Sequence, residues 1–271
     1  MKSSIPLKTW AEWNDTEPGF NEIDLVGHEG GDNNAALHNS LNDTDIATGW
    51  TEPCTVKSKG ERIVAAGLAQ LINRFPFLIL GIHSDNGSEF INHHLARYCE
   101  LRQITFTRGR PSHSNDQAHI EQKNWSIVRR AVGYWRYDTA RELDLLNHLW
   151  PAWNTRNNLL MPSQKLISKT RHGAKVTKRH DTATTPADRL LRDHPDTLTP
   201  AEHAALHDRL DTVDPIELGD QIAVIQGNLL ELAKRRGAVQ RRAKRNHVYL
   251  SRTKITRASS DEATTQTKRA S

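Results

Sequence analysis

The stretch from Ile82 to Arg130 decides the fold. It begins I-H-S-D-N-G-S-E-F and ends I-T-F-T-R-G-R-P-S-H-S-N-D-Q-A-H-I-E-Q-K-N-W-S-I-V-R-R. The apolar run Phe77 to Ile82 leads into Asp85 and is typical of a buried central strand. Glu121 lies at the start of a helical pattern, and 35 residues separate it from Asp85. The stretch therefore places one acid after a strand and a second acid on a helix.

A third acid lies upstream, in a segment that alternates like a strand. Between Phe20 and Val26, Ile23 and Leu25 face one way and Glu22 and Asp24 the other. In proteins, Mg²⁺ takes oxygen ligands and uses one or two carboxylates together with waters and phosphate oxygens. Two such ions can activate an attacking oxygen and stabilise a leaving one. Asp24 is thus a candidate metal ligand, and a strand acid facing solvent is the alternative.

Five segments, in this order, resemble the catalytic domain of the acidic-triad (DDE) integrases and transposases. The resemblance is closest to bacterial insertion-sequence transposases with a retroviral-integrase-type core, and it covers roughly residues 6–190. One acid pair at a given spacing would be weak evidence, whereas five ordered segments are specific. The segments are N-E-I-D-L-V-G-H-E-G-G, T-D-I-A-T-G-W-T-E, S-D-N-G-S-E-F-I-N-H-H-L, R-Q-I-T-F-T-R-G-R-P and H-I-E-Q-K-N-W.

The resemblance implies an α/β domain of the ribonuclease-H-like fold, with a mixed five-stranded sheet flanked by helices. It implies Asp24, Asp85 and Glu121 as catalytic residues and as ligands of Mg²⁺ or Mn²⁺. The implied enzyme is a DNA transposase or integrase, a polynucleotidyl transferase that cuts and joins DNA strands. Its implied partners are DNA, as element ends and as target, and further copies of the chain in a homo-oligomer on that DNA.

Composition divides the chain into five predicted parts. In such a family a helix-turn-helix module commonly precedes the core, and we expect none within the short N-terminal strap. Two helix starts, at Thr199 and Asp214, each place a proline at the first helical position, and they predict a helical C-terminal extension. The parts are the strap 1–17, the ribonuclease-H-like core 18–158, a basic post-core segment and linker 159–190, a helical hairpin 191–236 and a basic disordered tail 237–271.

The second strand of this fold should lie within residues 33–45, where the sequence is unusually polar. Asn39 and Asp43 occupy positions at which relatives carry apolar side chains. Either the strand lies at a solvated place in the sheet or this copy has drifted. Pro53, in the following strand, has no N–H group to donate to a neighbouring strand, which indicates an edge strand or a strand end. His83 is interpreted as a spectator rather than a ligand, and Glu89 as structural.

Basic residues surround Glu121 and precede it in a loop rich in Gly, Pro, Asn and Ser. Beside a metal site, such side chains would contact the scissile and flanking phosphates of DNA. A solvated basic face is the equally weighted alternative. The loop itself, Arg108 to Gln117, is a candidate substrate gate. The predicted DNA-contacting residues are Arg108, Arg110, Lys123, Arg129 and Arg130.

The helix that carries Glu121 is predicted to place Glu121, Trp125 and Val128 on one face, because they follow the i, i+4, i+7 spacing. That face would hold the acid rigidly at the edge of the core. A capping box at Thr139 predicts the start of the next helix. Its leucines and tryptophans form an apolar stripe, which indicates core packing rather than a nucleotide platform.

The C-terminal quarter carries an apolar seam and a basic run. From Leu218 to Leu232 apolar residues alternate in steps of four and three, a coiled-coil pattern that either folds back on the preceding helix or pairs with another subunit. Residues 234–257 contain ten Lys and Arg residues and no acid. That run is either a solvated tail or a non-specific DNA-binding segment, because neutralising phosphates releases counterions whatever the base sequence.

Composition limits the class of protein. The chain has 271 residues, a formal charge of +5 and an isoelectric point near 9.3, which favours a polyanionic partner. Two cysteines, Cys54 and Cys99, do not make a disulfide framework. No apolar run approaches the length of a membrane span, so we expect no membrane partner. The expected location is the cytoplasm of a bacterium, in association with the nucleoid.

Three functional hypotheses follow. The first is the transposase or integrase, active in DNA integration and recombination of a mobile element. The second keeps the fold and the metals but limits the reaction to DNA hydrolysis. The third is a catalytically impaired, non-sequence-specific DNA-binding remnant of a transposase, which the polar second strand and His83 favour. The presence of all three acids argues against the third.

Overall fold

A computed structural model of the chain describes residues 5–7, 16–31, 36–109 and 123–237. Two of the predicted site residues, Arg110 and Glu121, lie outside the described residues. Most of the predicted strap, most of the predicted gate loop and nearly all of the predicted basic tail also lie outside them.

The core is built on a mixed five-stranded sheet. In chain order its strands are β1 (Phe20–Gly27), β2 (Asn39–Asp45), β3 (Thr51–Val56), β4 (Gly81–Ser84) and β5 (Thr105–Arg108). The spatial order is β3-β2-β1-β4-β5. β2 runs antiparallel to both of its neighbours, whereas β4 is parallel to β1 and β5 is parallel to β4. The sheet is the one expected of a ribonuclease-H-like fold, and Pro53 lies on its edge strand as predicted.

Helices flank the sheet and continue beyond it. Two lie between strands in the chain, α1 (Glu61–Ile72) after β3 and α2 (His93–Leu101) after β4. α3 is described from Lys123 and contains a π-helical segment, Asn124–Arg129, followed by the turn Arg130–Val132. α4 (Ala140–Thr155) continues into the π-helical turn Arg156–Leu160. The C-terminal region is helical, as predicted, with α5 (Pro186–Asp193), α6 (Pro200–Thr212) and α7 (residues 215–237).

One face of the sheet packs on α1 to form the hydrophobic core. Ile23 and Leu41, from β1 and β2, are buried there together with Leu68 of the helix. The helix α1 approaches the sheet closely at Gly67, where an added Cβ would lie 2.9 Å from Cγ1 of Val56 on β3. The alternation predicted for β1 is confirmed, because Ile23 faces this core while Asp24 contacts α3 on the other face.

The strand predicted from Phe77 to Ile82 begins later than the apolar run suggests. β4 starts at Gly81, and Leu78 is 83% exposed. The carbonyl oxygen of Gly19 accepts hydrogen bonds from the N–H groups of Leu80 and Gly81, which holds the entering chain beside the sheet rather than in the ladder. Apolarity alone therefore overstated the length of this strand.

The polar second strand is not solvated, which corrects one sequence-based expectation. All seven residues of β2 are buried, and the strand lies second from the sheet edge. Several of its side chains form hydrogen bonds with neighbouring elements. The Asn21 amide donates to Oδ1 of Asp43 at 2.6 Å, and the hydroxyls of Ser40 and Thr55 lie 3.0 Å apart. Cross-strand pairing offsets the cost of burying these polar groups.

Three carboxyl groups are buried around β2 and β3. Burial raises the pKa of Asp43 well above its ordinary value of 3.8. Burial also raises the pKa of Asp45 to about 6, against hydrogen bonds donated by Thr48 and by the Gly19 backbone. The pKa of Glu52 rises to about 7 for the same reason, although the side chains of Trp50 and Asn154 donate to it. Folding therefore favours the protonated form of each group.

The predicted capping box of α4 is present. The Thr139 hydroxyl accepts a hydrogen bond from the Glu142 N–H at 3.3 Å, and the Glu142 carboxylate accepts one from the Thr139 N–H at 3.0 Å. The helix presents the expected apolar stripe, with Leu146, Leu149 and Trp150 buried.

Thr139→Ala is expected to lower the free energy of unfolding by about 1 kcal/mol, because the Glu142 N–H loses its side-chain acceptor. Urea denaturation followed by circular dichroism would measure the change. Thr182→Ala, at an exposed position outside the helices, is the matched control and should shift the midpoint much less. Equal shifts in the two variants would contradict a capping role.

The post-core segment contains a β-hairpin that the sequence did not predict. Strands β6 (Leu166–His172) and β7 (Lys175–His180) pair antiparallel. The predicted linker that follows contains two buried residues, Thr184 and Thr185, because Thr184 bridges to Ser163 and the Thr185 hydroxyl caps α5. Contacts within the chain group residues 1–229 and 230–271 into two units. The finer domain boundaries remain a prediction.

The apolar seam of α7 packs partly against its own chain. Ile222 and Leu229 are buried, and the Gln226 amide donates to the Ala131 carbonyl in α3 at 2.6 Å. This part of the helix therefore folds back on the chain, although on α3 rather than on the preceding helix. Within the described ranges, no helix is long and apolar enough to cross a membrane.

Candidate active site

Asp24 lies near the middle of β1 and is half-buried. Its Oδ1 accepts a hydrogen bond from the Leu25 N–H at 2.8 Å, and its Oδ2 accepts one from the Asn124 side-chain amide at 2.6 Å. The side-chain oxygen of Asn124 accepts a further hydrogen bond from the Asn42 side-chain amide on β2 at 3.0 Å. The carboxylate is thus oriented by its own strand and by the first described turn of α3.

Asp85 follows β4 directly, at the carboxyl end of the strand. The Gly87 N–H donates to its Oδ1 at 2.8 Å. A Cβ at Gly87 would lie 2.9 Å from that oxygen and 2.6 Å from Oε2 of Glu89, so a larger residue there would displace these two carboxylates. The Asn86 amide donates to the Gly109 carbonyl at 2.7 Å, which ties the turn to the end of β5. Asp85 is therefore held in place by the Gly87 N–H, beside the Glu89 carboxylate.

The parallel pairing of β1 and β4 places these two acids on or after adjacent strands. Glu22 is in register with His83, and each acid lies two residues further along its strand direction. Side chains two residues apart point to the same face, and neighbouring strands lie about 4.8 Å apart. Both acids therefore lie toward the carboxyl ends of adjacent parallel strands. Open α/β sheets usually place their sites at this end.

The third predicted acid, Glu121, lies outside the described residues. The described part of α3 begins two residues after it, at Lys123, and Asn124 of this helix contacts Asp24. Within the described ranges, no group of three or more His, Cys, Asp or Glu side chains is arranged to hold a metal ion. The placement of Asp24, Asp85 and Glu121 as one triad therefore remains a prediction, of which the structure describes two members.

The donors present at the site suit a hard divalent cation. Both acids offer carboxylate oxygens, which Mg²⁺ and Mn²⁺ prefer. Among the described residues, Oδ2 of Asp85 meets no hydrogen-bond donor, so this oxygen is available to a ligand. His83 is buried, and its Nδ1 lies 2.9 Å from the Thr107 hydroxyl on β5. This cross-strand bond agrees with the interpretation of His83 as a spectator.

Three of the predicted DNA-contacting residues make contacts with the protein itself. Arg108 donates to the Ile5 carbonyl and to the Asn86 side chain, each at 3.1 Å. Arg129 donates to the Gly27 carbonyl at 2.9 Å, and its guanidinium lies 4.7 Å from the centre of the Tyr134 ring. These bonds brace β1, β5 and the turn after β4. A second role for these arginines, as phosphate contacts, remains a prediction.

Lys123 is the third of these residues. Its ammonium group donates to the Gly49 carbonyl at 2.9 Å. Burial, together with the nearby cations Arg189 and Lys165, lowers its pKa to about 8. An ammonium group directed into the protein favours a structural role, in which Lys123 joins the start of α3 to the turn between β2 and β3.

Arg130 differs from the other basic residues because its guanidinium stacks over an exposed indole. It lies 5.9 Å from the centre of the Trp125 ring, and Trp125 is 58% exposed while Val128 is fully buried. The prediction that Trp125 and Val128 share one face is therefore wrong. Asn124–Arg129 is π-helical, and its wider turn changes the spacing that brings residues onto one face.

Sequence reasoning missed Asn124, which makes the closest described contact with Asp24. The signal was present, because Asn124 lies three residues after Glu121 on the same predicted helix. It also missed Asn42, whose amide holds Asn124 in place. A polar side chain at the centre of β2 looked like a defect of the strand when its partner on another element was unknown.

No family model matches the sequence. A curated relative, "Uncharacterized protein y4rM" of Sinorhizobium fredii (strain NBRC 101917 / NGR234), is 40% identical over 189 residues, which is 70% of this chain and 54% of the relative. The chain thus spans about half the length of that relative. Among solved structures, the catalytic core domain of BIV integrase aligns with a TM-score of 0.43 and 20% identity, over 66% of this chain and 97% of that domain.

Proposed function

We propose that the chain is a metal-dependent polynucleotidyl transferase of the transposase or integrase class, which cuts and joins DNA strands. The observation that supports the proposal is the parallel register of β1 and β4, which places Asp24 and Asp85 toward the carboxyl ends of adjacent strands. A phosphoryl-transfer site needs such acids, here 61 residues apart in the sequence, to come close together.

The residues of the site would act by binding and orientation. Asp24 and Asp85, with Glu121, would hold two Mg²⁺ or Mn²⁺ ions. Such ions, when bound, lower the pKa of a water molecule and neutralise phosphate charge. Asn124 and the Gly87 N–H keep one oxygen of each described carboxylate engaged, so the acids need little rearrangement when a ligand arrives. The attacking oxygen would be water in the cutting step and a DNA 3′-hydroxyl in the joining step.

DNA is the proposed partner because the chain is basic and the site is bordered by cations. Arg130, on its exposed indole, is the described side chain best placed to meet a phosphate. Assembly of several copies on the DNA ends belongs to the same proposal.

The direct test is a strand-transfer assay with the full chain, labelled candidate element ends, a supercoiled target plasmid and Mg²⁺. Joined products support the transferase. Cleaved but unjoined DNA would favour the hydrolytic alternative. DNA binding without metal-dependent cleavage would favour the catalytically impaired remnant and contradict the proposal.

Asn124→Ala should lower the rate of metal-dependent cleavage by about 10–100-fold and raise the Mg²⁺ concentration needed for half-maximal activity. Residues that hold a metal ligand in place typically have effects of this size. Asn124 is a positioning residue, so its loss frees the Asp24 carboxylate without removing it. Cleavage rates across a series of Mg²⁺ concentrations measure both quantities.

The matched control for this variant is Asn73→Ala, which removes an exposed asparagine amide at the end of α1. The control should retain the wild-type metal requirement. A lower rate with an unchanged Mg²⁺ requirement in Asn124→Ala would contradict the positioning role.

A further inference from the structure

The hairpin β6–β7 is an exposed ribbon with a single sign of charge. All seven residues of β6 and five of the six in β7 are exposed. Between residues 166 and 180 the chain has five Lys and Arg residues and no acid. These cations are Lys169, Arg171, Lys175, Lys178 and Arg179.

The register of the hairpin places like charges directly opposite each other. Lys169 pairs with Lys178 across the two strands, and Lys175 faces His172. The Lys169–Lys178 pair, which opposes two like charges, destabilises a two-stranded ribbon. A ribbon that keeps this arrangement is stabilised when a polyanion neutralises it, so the repulsion itself indicates a ligand with closely spaced negative charges.

The base of the hairpin is clamped to the core. The Arg189 guanidinium donates to Oδ2 of Asp181 at 3.0 Å and also to the Ser163 carbonyl. The Lys165 N–H donates to Oδ1 of Asp181, and its ammonium group donates to the Ile46 and Ala47 carbonyls at 2.8 and 2.6 Å. Both strands therefore leave the core from a fixed base, and the basic ribbon is presented at a defined place.

The tip of the hairpin is a tight two-residue turn. Gly173 has a φ of +60°, whereas Ala174 is not among the residues with positive φ. This combination is that of a type II′ turn, which matches the twist of the flanking strands. The ribbon thus forms by local pairing of two exposed strands.

We propose that this hairpin is an arm that binds the phosphate backbone of double-stranded DNA outside the catalytic site. The proposal rests on the proposed function in taking DNA as the polyanion. A two-stranded ribbon has the width of the DNA major groove. Single-stranded DNA is bound mainly by stacking on aromatic side chains, and residues 166–180 contain no Phe, Tyr or Trp.

The test measures binding of the full chain to a fluorescein-labelled 30-base-pair duplex by anisotropy, at a series of salt concentrations without divalent metal. The variant Lys169→Gln with Lys178→Gln removes the opposed pair. The matched control, Arg97→Gln with Arg141→Gln, removes two charges from exposed helical positions. A (dT)30 strand and anionic phospholipid vesicles are the alternative ligands.

The hairpin variant should bind the duplex at least about tenfold more weakly at 100 mM salt, and its salt slope should fall by about 1.8, since each lost phosphate contact removes about 0.9. The control pair should change neither quantity by as much. A second variant, Lys178→Glu, places a carboxylate opposite Lys169, and it should weaken duplex binding while leaving the melting temperature unchanged or raised. That combination separates a DNA contact from a folding defect.

Duplex affinity and salt slope equal to those of the control pair would overturn the proposal, and so would a wild-type chain that binds the vesicles or (dT)30 but not the duplex. The two proposals fail separately. Loss of duplex affinity in the hairpin variants, in a protein that never cleaves DNA with Mg²⁺, supports the arm and contradicts the transferase. Metal-dependent DNA cleavage by a protein whose hairpin variants bind the duplex like wild type supports the transferase and contradicts the arm.

Discussion

Asp85→Asn should abolish metal-dependent cutting and joining of DNA, with a loss of at least about 10³-fold in rate, and should leave duplex affinity within about twofold of wild type. The substitution keeps the shape of the side chain and its hydrogen bond from Gly87. It removes the negative charge that holds a cation, and stabilisation of phosphoryl-transfer charge by a bound metal contributes several kcal/mol. Strand-transfer products and duplex anisotropy, measured on the same preparation, test both parts.

The control for Asp85→Asn is Asp144→Asn, the same chemical change at an exposed position on α4. It should cut and join DNA at the wild-type rate. Substantial strand transfer by Asp85→Asn would remove this acid from the catalytic group. Equal loss in both variants would point to a general defect of the preparation rather than to the site.

Asp43→Asn should stabilise the protein, by an amount that grows as the pH rises from about 4. Among the described residues, neither Oδ2 of Asp43 nor Oδ1 of Asn21 has a hydrogen-bond partner, although Asn21 donates to the other Asp43 oxygen. A proton on Oδ2 would let the acid donate back to Asn21 and satisfy both atoms. This arrangement agrees with the direction of the Asp43 pKa, which burial raises.

The sign of the pH dependence follows from proton binding. Above the ordinary pKa of 3.8, the folded state holds a proton on Asp43 that the unfolded state releases. The wild type therefore loses up to about 1.4 kcal/mol of stability per pH unit, from about pH 4 toward the raised folded-state pKa. Asparagine binds no proton and can donate to Asn21 at every pH. We expect the variant to exceed the wild type by about 1–3 kcal/mol at pH 7 and to match it near pH 4.

Urea denaturation of both proteins at pH 4 to 8 measures this difference directly. Burial raises the pKa values of Asp45 and Glu52, so these groups also lower the stability of the protein as the pH rises. His28 has the opposite effect on stability, because burial lowers its pKa to about 3. These groups are common to both proteins, so subtraction largely removes them. Parallel curves for wild type and variant would show that Asp43 is ionised in the folded state. Asp144→Asn again provides the exposed control.

Much of the fold was readable in the sequence where the signal is local. The strand alternation around Asp24, the helix starts at Thr139, Thr199 and Asp214, and the edge position of Pro53 all depend on residues close together in the chain. Each is set by backbone dihedral preferences, by capping or by a missing N–H donor. These causes act over a few residues, so a single sequence is enough to recognise them.

The predictions that failed concern features of the structure that depend on partners distant in the sequence. The polarity of β2 looked like exposure because Asn21, Thr55 and Asn124, which satisfy its side chains, lie on other elements. The α-helical spacing applied to Trp125 failed because α3 is π-helical there, a departure that helix periodicity does not reveal. The β6–β7 ribbon was missed because its composition resembles that of a polar linker.

The sequence by itself determined which acids are available, their spacing and the elements that carry them, because strands, helices and turns follow from local stereochemistry. The tertiary structure alone decided that β1 and β4, which carry or lead into Asp24 and Asp85, are adjacent and parallel, and that Asn124 orients Asp24. It also decided that the basic ribbon leaves the core from the Arg189 clamp. Register and side-chain partners depend on packing between distant segments, and this information appears only when the chain has folded.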